Sequence, residues 1–426
     1  MIKAAFYECD ITPPLGGYMT GYYCKRLGDN VANRLYAKAL VVQDANNIVA
    51  MVSIDACMLT CEIHDIVTKR ICEYTGIKPE CVSISATHTH KGIPISDSPE
   101  INCFADKTYT DVCYRLIADS VILAYKRLGE EEVEISYGTD IVKGIAFNRD
   151  SVLKDGTHET MIPRDSDEIL SPLGKVDESL NVISFSKNEK KIGAIVNFSC
   201  HLDSTYGDMS YSGDYASVIS DILKEEYGND FVSLFLTGAC GNVNHINHDK
   251  NAQILNYDKI GKILGTKAIC IIDNSENVSG TVSVCKEIVS IKRRQPDEAS
   301  LKKLFNRKTG ALNFPMMTNY LYYVNTNEQT HSELYIQAIK IGDVAISVLP
   351  GEIYAAIGIS IKEKSSFAKT IIVENSNSYC GYIPDKSAFN GNCLLYESLL
   401  CCHSCHVPEA SDIIEEKALE LLKKIN

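Results

Sequence analysis

The stretch Cys81-Val82-Ser83-Ile84-Ser85-Ala86-Thr87-His88-Thr89-His90, with the loop Lys91-Gly92-Ile93-Pro94 behind it, decides how this chain is read. Residues 81–86 are short, β-branched and bounded by a glycine-proline loop, the pattern of a buried strand. Two histidines at i and i+2 past the strand project the same way. They emerge at a carboxyl end, where α/β domains gather their ligands. Imidazoles so placed suit a metal ion, and a hydrogen-bonded pair of loop histidines is the plainer alternative.

Similar strands recur along the chain at 38–43, 47–54, 191–198 and 231–236, and Gly342-Asp343 splits 334–349 into the two arms of a hairpin. Helical periodicity falls between them at 62–75, 108–128, 215–227, 256–274, 352–364 and 411–425, with Ser411 as the cap of the last. Strands alternating with helices, plus hairpins, predict an α/β fold of mixed sheets with flanking helices, forming one domain over 1–426. The stretch 280–296 is a weak candidate for a subdomain boundary. The polar stretch 150–178 reads as a long surface loop.

Three further segments carry polar residues past strands. Residues 194–198 lead into Ser199-Cys200-His201-Leu202-Asp203, a second histidine at a strand end. A zinc ion shared with the first pair is consistent with both, and a structural histidine is the alternative. Residues 344–349 lead into Pro350-Gly351-Glu352, where Glu352 is either a helix cap or a metal ligand. Phe235-Leu236-Thr237 leads into Gly238-Ala239-Cys240-Gly241-Asn242-Val243-Asn244-His245, a small-residue turn whose backbone N–H groups could approach a substrate oxyanion or simply pack closely.

The composition narrows the function. A net charge of −13 from 42 basic and 55 acidic residues repels phosphate backbones, which argues against a nucleic-acid partner. No stretch approaches the roughly 18 uninterrupted apolar residues of a membrane span, and the start shows no secretory signal pattern. The 17 cysteines among 426 residues fall well below the density of a disulfide scaffold and are expected to be reduced, in the cytoplasm.

Read in order, the motifs resemble the catalytic domain of the neutral/alkaline non-lysosomal ceramidase family. The resemblance runs from Asp10-Ile11-Thr12-Pro13-Pro14 through Ser53-Ile54-Asp55, the 85–90 motif, Asn148-Arg149, Asn197-Phe198-Ser199-Cys200-His201 and Ser212-Gly213-Asp214-Tyr215. It continues through the 238–244 turn, Leu349-Pro350-Gly351-Glu352 and Tyr379-Cys380-Gly381-Tyr382. It implies a Zn²⁺ ion held by His88, His201, Glu352 and Tyr382, with catalytic roles for His90, Arg149 and Tyr396. It also implies that Asn148 faces the scissile group, and Gly241, Asn242 and Asn244 are expected at the substrate. Two departures stand out. Where the family has Gly-Asp-Val-Ser, this chain has Gly241-Asn242-Val243-Asn244 and lacks the serine, and the family's carboxy-terminal immunoglobulin-like domain is not expected.

The expected chemistry is metal-assisted hydrolysis of an amide or ester bond in a small, polar N-acyl molecule; cleavage of N-acyl sphingoid lipids is the alternative. A non-catalytic ligand-binding descendant is a further reading, suggested by Asn244. The run Cys401-Cys402-His403-Ser404-Cys405-His406, with Cys380 and Cys393 nearby, is rich in soft ligands and could hold a second metal or simply be inert thiols. His245 and His248 are expected beside the pocket; His64, His158 and His331 are expected at the surface or in packing.

Overall fold

The computed structural model describes residues 2–204, 207–307 and 313–426. Three sheets organise them, and the same strand pattern returns in each. In the first, Lys3–Asp10, Tyr36–Gln43 and Ile48–Ile54 run antiparallel, and Val82–Ala86 joins the last in parallel. In the second, Glu134–Ile141, Ser179–Lys187 and Lys190–Phe198 are antiparallel, Val232–Thr237 adds in parallel, and the short Glu276–Asn277 closes the far edge. In the third, Thr281–Lys292, His331–Gly342 and Val344–Val348 are antiparallel and Lys369–Val373 is parallel.

A parallel neighbour needs a crossover, and a helix supplies it each time: Cys61–Thr75, Asp214–Tyr227 and Ala355–Lys364. A second helix follows each fourth strand: Lys107–Arg127, Tyr257–Asp273 and Ala410–Lys424. The helices begin and end on local chemistry. Thr60 accepts from the Ile63 amide at the start of Cys61–Thr75, and Gly76 takes the left-handed conformation at its end.

Strands buried on both faces hold the layers together. In Ile48–Ile54, Val49 and Met51 face one core, while Ala50, Val52 and Ile54 face the helices. The first of these cores is common to all three sheets and contains Phe6, Leu40, Ile195, Leu234, Ile346 and Val373. Each fully buried aliphatic side chain there contributes about 1.5–3 kcal/mol. Polar ties lock the junction: the Asn197 amide donates to the Leu236 and Ile372 carbonyls at 2.7 and 2.9 Å, joining the second sheet to the third. Consequently the carboxyl ends of the parallel pairs open onto one place.

The mixed α/β class and the helices expected from the periodicity are present, within a residue or two except at the fifth. That helix begins at Ala355, because Glu352–Ile353 instead pairs with Tyr382–Ile383; Glu352 is therefore not a helix cap. Ser411 lies inside the last helix, where its hydroxyl bonds back to the Pro408 carbonyl. The stretch 150–178 is not a plain loop: Asp150–Leu153, His158–Thr160 and Ile169–Pro172 form a small sheet with Cys393–Leu394. The 280–296 stretch supplies Thr281–Lys292, paired along its length with His331–Gly342, and so is integral to the third sheet. Replacing Asn197 with alanine strips two buried carbonyls of their donor; urea unfolding is expected to show a loss of about 2–4 kcal/mol.

Candidate metal centre

The centre is assembled from chain segments leaving the parallel strands. After Ala86 the backbone is pinned by Thr87 N–H to Ile54 O at 2.9 Å and His88 N–H to Ala56 O at 3.0 Å. His88 itself has φ of 66°, a left-handed conformation that a histidine adopts only when its surroundings impose it. The His90 amide donates to Leu202 O, which braces the two histidine-bearing segments together, and the His201 amide donates to Val243 O of the 238–244 turn. Gly21, at φ +102°, passes against the His90 ring where a side chain would collide, and this lets Tyr22 pack edge-on to that ring.

His88, His201 and Glu352 converge, and all three are at most 2% exposed. The Nε2 atoms of His88 and His201 each lie 3.3 Å from Glu352 Oε2. The opposite ring nitrogens are committed: Nδ1 of His88 donates to Cys57 O at 2.7 Å, and Nδ1 of His201 faces Cys240 O and Val243 O at 2.9 and 3.0 Å. That leaves each Nε2 with a lone pair, aimed at an oxygen that has no hydrogen-bond donor among the described residues. Neutral imidazoles and a bare carboxylate oxygen need a cation between them. The residues fit zinc: a tetrahedron with bonds of about 2.0–2.1 Å has an edge of about 3.3 Å. A second grouping, Cys57, His88 and His90, shares His88, but there the Nδ1 proton is already given to the Cys57 carbonyl.

Outer groups fix this trio. Tyr379 donates its hydroxyl to Glu352 Oε1 at 2.8 Å. Glu374 accepts from the Cys240 and Ile353 amides at 3.1 and 2.7 Å, tying the carbonyl that orients His201 to the residue after Glu352. Burial, partly offset by the Cys240 thiol and amide, raises the Glu374 carboxyl to about 8.

Around the trio stand the other residues the sequence singled out. His90 Nε2 is 3.3 Å from His88 Nε2, and its Nδ1 has no hydrogen-bond partner among the described residues. Arg149 turns Nη1 to within 3.3 Å of His201 Nε2. Tyr382, the register partner of Glu352, lines a small cavity with His88, Glu352, Tyr379 and Tyr396. The Tyr396 hydroxyl is 2.7 Å from that of Tyr23. A larger cavity of about 840 Å³ opens from this floor. His90, Arg149, Asn244 and the His245–Asp203 pair, 3.3 Å apart, form its polar end, and Met161, Ile162, Pro163, Ile254 and Leu255 form an apolar wall.

The remaining expected substrate contacts have other tasks. Asn148 accepts from the Asp150 amide at 3.0 Å and donates to Leu173 O, so both ends of its side chain are spent on backbone. Asn242 accepts from the Ala355 amide, and Gly241 lies so close to Glu352 that a Cβ would meet its carbonyl oxygen at 2.6 Å. Asn244 does reach the cavity, with its Oδ1 held by the Ile246 amide. His248 reaches the cavity and gives Nε2 to Asn148 O, while His64 is buried in packing beside Asp65. The cysteines of 401–406 form no metal-ligating group among the described residues, and burial pushes their thiols up, Cys401 to about 12. All seventeen cysteines are free thiols. Tyr379, Glu374, Thr160 and Glu397 were not singled out as site residues; only the acids following Arg149 and Tyr396 in sequence gave a hint.

A family profile described as "Neutral/alkaline non-lysosomal ceramidase, N-terminal" matches residues 6–245. The match takes in His88, His90, Arg149 and His201, while Glu352, Tyr382 and Tyr396 lie beyond it. Among solved structures, a ceramidase complexed with C2 aligns at TM-score 0.77 and 18% identity, covering 99% of this chain and 74% of that one. A neutral ceramidase from Pseudomonas aeruginosa aligns at TM-score 0.75 and 19% identity, covering 100% and 75%. These likenesses establish the fold. A comparison with curated proteins finds no match.

Two outcomes follow from the outer groups. Tyr379→Phe removes the donor to Glu352 and is expected to weaken metal affinity about 10–100-fold in a chelator competition. Glu374, whose folded pKa is raised above its unfolded value, favours the folded state at low pH and loses that contribution as pH climbs toward about 8. Glu374→Gln is therefore expected to flatten the decline of unfolding free energy between about pH 5 and 8.

Proposed function

This chain belongs to the neutral/alkaline non-lysosomal ceramidase family, a family of amide-bond hydrolases, and from that membership we propose that it is a zinc-dependent amidase cleaving the C–N bond of an N-acyl compound. The observation that carries the metal assignment is the buried trio at 3.3 Å spacing around an oxygen with no donor among the described residues. In this reading His88, His201 and Glu352 hold Zn²⁺ and Tyr382 completes the set from the adjoining strand. When bound, such an ion supplies Lewis acidity toward a carbonyl oxygen and toward water.

The chain's own residues do the rest. His90, whose Nε2 lies 3.3 Å from His88 Nε2, accepts a proton during attack and returns it to the leaving nitrogen. Arg149 directs a single N–H at the centre and stabilises negative charge developing on the carbonyl oxygen. The Tyr396 hydroxyl, paired with that of Tyr23, donates from the facing side, and the tyrosine rings at 22, 23, 382 and 396 keep bulk water from the floor.

The cavity bears on substrate class. Its polar floor suits the scissile amide of the small polar molecule expected from the sequence, but its apolar wall favours a substrate that also carries an aliphatic chain. We therefore favour an amphipathic N-acyl compound, a class that includes N-acyl sphingoid lipids. No helix among the described residues is long and apolar enough to cross a membrane. The free thiols support a reducing, cytoplasmic setting.

Elemental analysis of protein purified without added metal tests the reading, with about one zinc expected per chain and none in His88→Ala/His201→Ala. The wild type is expected to hydrolyse an N-acyl series, with kcat/KM rising about threefold or more per pair of methylenes until the wall is covered. Hydrolysis retained in the metal-free double variant overturns the mechanism, and preference for N-acetyl over longer chains overturns the amphipathic assignment.

A further inference from the structure

Each of two residues flanking the centre is followed in sequence by an acid: Arg149 by Asp150 and Tyr396 by Glu397. Three of the four meet at one hydroxyl, and Arg149 joins them through Glu397. Thr160 Oγ1 lies 2.7 Å from Asp150 Oδ1, 2.8 Å from Glu397 Oε2 and 2.9 Å from the Tyr396 amide nitrogen. Asp150, Thr160 and Glu397 are each 0% exposed. Arg149 Nε donates to Glu397 Oε1 at 2.7 Å and Nη2 to Gly241 O at 2.8 Å, which leaves Nη1 for the centre.

The proton count at Thr160 is decisive. A hydroxyl carries one proton and two lone pairs, so it cannot donate to two carboxylates at once. Were both acids ionised, one of two short oxygen–oxygen contacts would hold no hydrogen, in a fully buried site. One acid must therefore be neutral and donate to Thr160. Glu397 faces the Arg149 guanidinium directly, which keeps it ionised. Asp150 has an Oδ2 with no donor among the described residues, tolerable for a neutral acid and costly for a carboxylate.

We propose that Asp150 is a neutral carboxylic acid at physiological pH, donating to Thr160, which donates to ionised Glu397, and that this buried relay positions Arg149 and Tyr396 as one unit. Burial, then the neighbouring Glu397 charge, raises the Asp150 carboxyl in keeping with this. Tyr354 adds a second hydroxyl donor to Glu397 at 3.2 Å. The other ions packed on the relay, Arg307 and Glu159, form their own pair at 3.8 Å, and Arg307 also donates to Thr160 O. Asp150, Thr160 and Glu397 are positioning residues. What Arg149 and Tyr396 do in turnover rests on the proposed function, whereas the relay's protonation does not.

The test compares Asp150→Ala, Asp150→Asn and Glu397→Gln for zinc content, kcat and KM, and records infrared spectra of protein labelled with ¹³C-aspartate at about pH 8, where most carboxyls are ionised. Asparagine retains a donor toward Thr160, so Asp150→Asn is expected to restore kcat to within about threefold of wild type, while Asp150→Ala and Glu397→Gln lower kcat about 100-fold with zinc retained and KM little changed. The labelled wild type is expected to show a neutral-acid carbonyl band that Asp150→Asn lacks. A loss in Asp150→Asn as deep as in Glu397→Gln, or identical bands in the two proteins, overturns the relay. The infrared comparison decides it even if Asp150→Ala fails to fold. A wild type without hydrolase activity would sink the proposed function and leave that band to judge the relay separately.

Discussion

Glu352 sits buried with one carboxylate oxygen that no donor among the described residues reaches, and nearly every feature near it answers that fact. A charge so placed destabilises the fold unless a cation or strong donors surround it. Two backbone carbonyls take the Nδ1 protons of His88 and His201 and thereby turn their lone pairs toward the oxygen. Tyr379 occupies the other carboxylate oxygen, so only one is left to coordinate. The unusual backbone of His88 is the local strain that this convergence imposes.

The architecture makes the convergence possible. A parallel pair with its helical crossover sends both carboxyl ends the same way, and three such pairs share a core. Their ends bring His88 and His90, His201 with the 238–244 turn, and Glu352 with Glu374 into contact. The same junction requires polar ties between sheets, which is why Asn197 is buried with its amide hydrogens shared between the second and third sheets.

Much of this was legible in the sequence, for a physical reason. His88, His201 and Glu352 each follow a run of apolar residues, and a polar residue at the end of a buried strand is an exception that a linear reading can see. Tyr382 was reached only through resemblance, because its position depends on pairing with Glu352. Tyr379, Glu374 and Thr160 act through partners 10 to 237 residues away, so their letters carry no local signal. The strands of 150–178 escaped notice because they are three or four residues long and gain their pairing partners from elsewhere in the chain. Glu352 read equally well as a helix cap until its pairing with Tyr382 was seen. The backbone hydrogen bonds of Asn148 and Asn242 could not be read from the sequence, because an asparagine after a strand serves the backbone as readily as a ligand.

The distribution of the trio has a consequence for how the chain is made. His88, His201 and Glu352 hang from different sheets, and none of those sheets contains more than one of them. A nascent chain that has completed the first two sheets can present the two imidazoles of the trio but not Glu352, so the grouping is complete only with the third. An ion held by these three residues would therefore be bound only by a chain whose three sheets have all come together.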